Sequence, residues 1–173
     1  PQSLRVWVNA QLLPASAVTF AASTGVMTAI ASGMRQGDNT VKVEVADVAG
    51  NSATPLVWSI KIDTTPPSGS VMINADAQGR GASMTTSVYV TLTLSAVDAR
   101  SGVRSMWLSN DGVNYAREAF VPVKELWRLL PVSGPRTVWV KFEDVAGNVS
   151  EAVSDEDGIQ LVLLAPETMI LGG

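Results

Sequence analysis

Histidine and cysteine are both absent from the 173 residues. Their absence removes Cys nucleophiles, Ser-His-Asp triads, thiolate and imidazole metal sites, and haem ligation by His. It also removes disulfides as evidence of secretion, so compartment has to be argued another way. Basic residues are few: 12 Lys and Arg stand against 16 Asp and Glu, a net charge of −4, and no basic cluster offers an electrostatic footprint for nucleic acid. No apolar run reaches the ~20 residues that a membrane-spanning helix needs. There is no sustained helical period and no glycine loop that follows a strand and opens a helix to cradle phosphate. The acids gather at turns instead of facing each other across a groove, so the chain reads as a non-enzyme with no cofactor other than a metal candidate given below. Pro1 stands where an initiator Met or a basic-then-apolar leader would be, which reads as a mature or excised fragment.

The chain does have the means to bury a core. Hydrophobic residues make up 46% and the mean hydropathy is +0.22, outside the range of disordered chains. It also repeats itself. Asp47-Val48-Ala49-Gly50-Asn51 recurs as Asp144-Val145-Ala146-Gly147-Asn148, 97 residues later. Upstream, Gly37, Thr40, Val41 and Val43 recur as Gly134, Thr137, Val138 and Val140. That offset is about one small β-domain.

Leu4 to Asn9 alternates apolar and other residues, with Leu4, Val6 and Val8 facing in and Arg5 and Trp7 out. Val18 to Phe20 and Val26 to Ile30 are weaker strands, Thr40 to Ala46 is a Val-rich one, and Val57 to Ile62 closes the first module. Asp63-Thr64-Thr65-Pro66-Pro67 follows as a short stiff linker, because two prolines fix φ and favour extended backbone before them. The second module runs through strands at 71–74, 88–94, 103–109, 120–123, 125–130 and 137–143, with Ile159 to Leu164 closing the sandwich. Asn110-Asp111-Gly112 is a hairpin turn. The division is therefore residues 1–62, a module lacking its opening strands; 63–67, linker; 68–164, a full module; and 165–173, a tail or the start of a further segment. Many short strands with turn signals between them give an all-β fold of tandem antiparallel sandwiches, the first incomplete at its N-terminus.

The linker, Asp98 with Ser101-Gly102-Val103, Ser109 to Gly112, Trp127, and Thr137 to Phe142 followed by Asp144 to Ser150 together resemble the bacterial immunoglobulin-like repeats of large surface proteins. The resemblance covers essentially all of the second module and the first more loosely. It implies an extracellular or cell-surface location and a role as stalk, spacer or adhesion unit. Neighbouring modules of the same chain or other subunits, a surface protein, or a glycan would be the partners. It equally fits an accessory domain of a secreted enzyme. A subunit of a filament built by strand exchange is the runner-up, with the apolar strand at Ile159 to Leu164 as a segment to exchange.

Two sets of residues bear on function. The pentapeptide reads first as turn chemistry, Asp and Asn bonding nearby backbone and Gly supplying positive φ. The second reading is calcium: in an immunoglobulin topology Asp98 and Asp144 lie in loops at the pole where the chain enters, next to the linker's Asp63, and three carboxylates suit a hard cation. The other set is Trp7, Trp107 and Trp139, which fall on outward positions and either shield the sheet or form a partner surface. Trp127 reads as core. Asp155-Glu156-Asp157-Gly158 lacks the rest of an EF-hand loop and reads as a solvated acidic turn. Asn148-Val149-Ser150 satisfies the glycosylation sequon but sits inside the turn and reads as a chance match.

Overall fold

A computed structural model describes residues 3–155 and 158–164. The segment 165–173 lies outside the described residues, as do Glu156 and Asp157 of the acidic turn. The chain is all-β and divides into two compact units, Pro1–Thr64 and Thr65–Gly173.

In the first unit, β1 (Ser3–Val8) pairs antiparallel with β2 (Gln11–Leu12). A 3-10 turn at Ala15–Ala17 leads to the hairpin of β3 (Val18–Ala21) and β4 (Val26–Ala29). Then come β5 (Gly37–Ala46) and β6 (Leu56–Ile62). The main sheet has the order β2-β1-β5-β6. Period-two alternation decides which face is buried: Val6 and Val8 of β1 and Val43 of β5 form the core with Leu13. Val18, Met27 and Ala29 of the hairpin pack against it. One polar residue is buried with them. Asn39 donates to the carbonyls of Arg35 (2.7 Å) and Gly37 (2.9 Å), and its Oδ1 accepts from the Arg35 backbone N–H (2.9 Å) and Asn9 Nδ2 (2.8 Å). With donors and acceptor all satisfied, its burial is sustainable.

The second unit contains β7 (Ser68–Ile73), β8 (Met84–Thr85), β9 (Tyr89–Val97), β10 (Val103–Ser109), β11 (Ala116–Ala119), β12 (Val123–Arg128), β13 (Gly134–Arg136), β14 (Trp139–Asp144), β15 (Val153–Ser154) and β16 (Ile159–Leu161). One sheet runs β12-β9-β7 and the other β11-β10-β14-β15. Both contribute to one core: Val71, Ile73, Val90, Leu92 and Leu94 from the first, Met106, Leu108, Val140 and Phe142 from the second. Each fully buried Leu, Ile or Phe is worth about 1.5–3 kcal/mol against exposure. Two sheets closing on a shared apolar layer make a sandwich.

Several expectations need correction. The strands expected at 120–123 and 125–130 are instead β11 and β12. A bulge between Lys124 and Trp127 puts Leu126 at φ 55° and 75% exposure and turns Trp127 onto the core. The segment 159–164, expected to close the sandwich, puts Ile159 into its core but does not pair beside β14. β15 does, in the register Val140↔Val153, while β16 pairs with β13 and, in parallel, with β8. A parallel pair was not expected, because no strand was expected between 71–74 and 88–94. Asp155 is not a solvated turn residue either. Its Oδ2 accepts the Ile73 backbone N–H at 2.7 Å and so ties β7 to the segment after β15.

Candidate cation site and aromatic surface

The two pentapeptides fold alike. In each, the Asp N–H donates to the Asn carbonyl (3.0 Å at Asp47, 3.1 Å at Asp144). The Asn N–H donates to the Asp Oδ1 (2.8 Å in both), and the Asn Nδ2 donates to the Asp Oδ2 (2.9 and 2.7 Å). Gly50 and Gly147 take φ of 89° and 96°, a region open to glycine and strained for other residues. Turn chemistry accounts for all five residues in the first copy, where Asp47 is exposed.

The second copy sits in different surroundings. Asp144 ends β14 and is fully buried. Its loop is tied to the loop after β9, since Val145 N–H donates to the Gly102 carbonyl at 3.0 Å. That neighbouring loop is shaped by Asp98, whose Oδ1 accepts the backbone N–H groups of Arg100 (3.1 Å), Ser101 (2.7 Å) and Gly102 (2.7 Å). Asp63, in the connecting segment two residues ahead of Thr65, accepts Gln36 Nε2 at 3.0 Å. Asp63 belongs to the first unit, and Asp98 and Asp144 to the second. The donor set is all hard oxygen and without nitrogen or sulfur, which suits Ca2+ over zinc or a softer metal.

The three tryptophans are half-buried on outward faces. Trp7 donates its Nε1 to Glu44 Oε2 at 3.2 Å, and Lys42 Nζ lies 4.9 Å from the centre of its ring. It lines an open groove of about 430 Å3 with Arg35, Asp38 and Val57. Trp107 stands opposite Arg117, whose guanidinium carbon is 5.7 Å from its ring centre, and Trp139 stands opposite Ser109. Trp107 and Trp139 are therefore on adjacent strands but diagonal, each with its own cover. A β-carbon on Gly112 would touch the Trp139 indole at 3.4 Å.

One constellation was missed from the sequence. Glu143 is 9% exposed on the outer face of β14, yet it takes Ser105 Oγ (2.8 Å), Trp107 Nε1 (3.0 Å) and two bonds from Arg117. The Arg117 guanidinium, then the Ser105 and Trp107 donors, hold its carboxyl down at about 2. The signal was an acid on an outward position with an arginine two strands away, legible only once β11 was correctly placed.

The sequence matches no protein-family model, and no curated protein matches it. Among solved structures it is similar to the fibronectin(III)-like modules of Clostridium thermocellum CbhA. The TM-score is 0.46 at 14% identity over 92% of this chain and 77% of that one.

Proposed function

We propose that this chain is a non-catalytic structural part of a larger bacterial extracellular protein, a spacer and interaction unit stiffened by calcium at Asp63, Asp98 and Asp144. The observation that carries the reading is reuse of one design. The β2-β1-β5-β6 sheet of the first unit and the β11-β10-β14-β15 sheet of the second have the same strand order, and the same Asp-Asn turn follows the third strand of each. Repetition of a folded unit serves reach and surface more directly than it serves catalysis. The carboxylates are spent on turns and sheet contacts, as at Asp98, Asp111 and Glu143.

Calcium is supported by the pre-shaped loops of Asp98 and Asp144, which the bond from Val145 N–H to the Gly102 carbonyl ties together. A cation there would favour the folded state in proportion to its occupancy. Differential scanning calorimetry with calcium and with chelator tests this on the whole chain. Calcium is expected to raise the melting temperature, and Asp98→Asn with Asp144→Asn to abolish the rise. A melting temperature indifferent to both additions sinks the calcium reading. The interaction role falls to Trp7, Trp107 and Trp139, for a protein or glycan partner. Lys42 and Arg117 lie over two of the indoles, so sugar stacking at Trp7 or Trp107 requires those cations to swing away.

Filament assembly by strand exchange is a second reading, favoured by the edge of β6, which pairs with no further strand among the described residues. Its expected donor strand does not serve: Ile159 is 2% exposed and Leu161 0%, both committed to the second unit.

A further inference from the structure

The outer face of the first unit's main sheet carries almost all the charge of that unit. Register puts Arg5 and Trp7 of β1, Asp38, Lys42 and Glu44 of β5, and Lys61 of β6 on it, away from the core valines. Arg35 borders it in the groove beside Trp7. Of the charged residues between 3 and 62, only Asp47 lies elsewhere. The face thus sets four cations against two acids, a positive surplus in a chain whose net charge is −4. In the second unit, where both sheets of the sandwich are present, the like-placed face keeps Trp107, Trp139 and Lys141 partly exposed. An open outer face is therefore a property of the module.

The groove holds about 430 Å3, within the size that a bound small molecule fills. Its walls combine the Trp7 indole, the Thr40 hydroxyl and the cations Arg35 and Lys42. Ser59 stands opposite Thr40 in register, a second hydroxyl on the same face. Glu44 accepts Trp7 Nε1 at 3.2 Å and Lys42 Nζ at 2.8 Å, which steadies the ring and holds the ammonium over it. A surface pair of this kind is worth little, so the ammonium can exchange one carboxylate for another. A neutral sugar that displaced Lys42 from the ring would leave the cation without a new partner. A sugar with its own carboxylate supplies that partner while its ring rests on the indole. A peptide fits worse. The backbone groups of β1 and β5 are spent on the sheet, so an added strand finds no main-chain partner on this face.

We propose that this face binds an acidic polysaccharide, a polymer built with hexuronic acids, an inference that rests on the partner role given above to Trp7. Trp7 receives a sugar ring, Thr40 its hydroxyls, and Lys42 and Arg35 its carboxylates. Arg5 and Lys61 meet the neighbouring sugars. The site uses none of the three aspartates assigned to calcium.

The test runs the full chain through native gels containing polygalacturonate, alginate or hyaluronate, with mobility read against a polymer-free gel. Chelator is present, because carboxylate polymers gather calcium. At least one uronate polymer is expected to retard the chain, and neutral dextran to leave it unchanged. Arg35→Gln with Lys42→Gln should raise the polymer concentration needed by about tenfold or more. Arg104→Gln with Arg128→Gln, an equal charge change on the second unit, should leave it as it was. Retardation that survives the first pair, or that weakens equally with the second, overturns the proposal. Equal retardation by poly-glutamate also overturns it and makes the face a site for acidic polypeptide. Dextran binding as strong as that of the uronates overturns the acidic class and leaves Trp7 a glycan site. No retardation by any polymer overturns the proposal and leaves the tryptophans to a protein partner.

Discussion

Arg117 grips Glu143 with two parallel hydrogen bonds, Nε to Oε2 at 2.7 Å and Nη2 to Oε1 at 2.9 Å, across the intervening strand β10. A bidentate guanidinium–carboxylate pair fixes geometry as well as charge, and here it holds β11 to β14 although the two are not paired.

The pair makes stability pH-dependent in a defined direction. Glu143 is held at about 2 in the fold against an ordinary 4.5, so the unfolded chain takes up its proton first as pH falls. The stabilisation is complete above about pH 4.5 and is lost progressively toward pH 2. Asp47, Asp76 and Asp111, lowered by their turn hydrogen bonds, act in the same direction. The urea midpoint should fall between pH 6 and pH 3, and Glu143→Gln should reduce that fall. An unchanged slope in Glu143→Gln would show that the turn acids carry the effect.

Trp107 should behave as a structural residue even if it also meets a partner. Trp107→Phe keeps a ring beside Arg117 but removes the N–H donor to Glu143, a loss of about 1 kcal/mol measured by urea unfolding. Trp107→Ser removes both and should cost more. A neutral Trp107→Ser would return the indole to a binding role alone.

Gly69 marks a place where β7 meets β9 and the core too closely for a side chain. An added Cβ would stand 2.3 Å from the Ser95 carbonyl oxygen and 2.5 Å from Phe142 Cε2. Gly69→Ala is expected to lose about 1–3 kcal/mol by overpacking, read from chemical denaturation.

In the first unit the vulnerable residue is Asn39. Asn39→Ala leaves the Arg35 and Gly37 carbonyls and the Arg35 N–H without their bonds; the Gly37 bond is buried, and a buried group so orphaned costs about 1–3 kcal/mol. Amide exchange should speed up in β1 and β5, with β10 and β14 unaffected.

Much of this was legible in the residues, because strand alternation is a local signal. Leu4 to Val8 buries Val6 and Val8 and Val103 to Ser109 buries Met106 and Leu108, as their period says, although Ser105 and Ser109 on the other face are buried too. The repeated turn was legible because Asp, Gly and Asn each do a separate chemical task there. Long-range geometry was not legible in the residues. A bulge at Leu126 shifts phase by one residue, and no propensity announces it. The parallel pairing of Met84 and Thr85 with Gln160 and Leu161 joins stretches that look like loop and closing strand. The bonds of Glu143 depend on two strand registers at once. Asp63, Asp98 and Asp144 were legible from topology, since each stands beside turn residues at a strand end; the bond from Val145 to Gly102 that joins the Asp98 and Asp144 loops needed coordinates.

The parallel pairing of β8 with β16 has a mechanical side. Gln160 N–H donates to the Ser83 carbonyl and Val162 N–H to the Thr85 carbonyl, both at 2.9 Å, while Asp155 holds Ile73. Pulling the second unit by its two ends drags the early strands one way and β16 the other. Strands that run side by side in the same direction then slide lengthwise, and their bonds give way together instead of one at a time. Under traction the unit would resist as a shear joint rather than open like a zip.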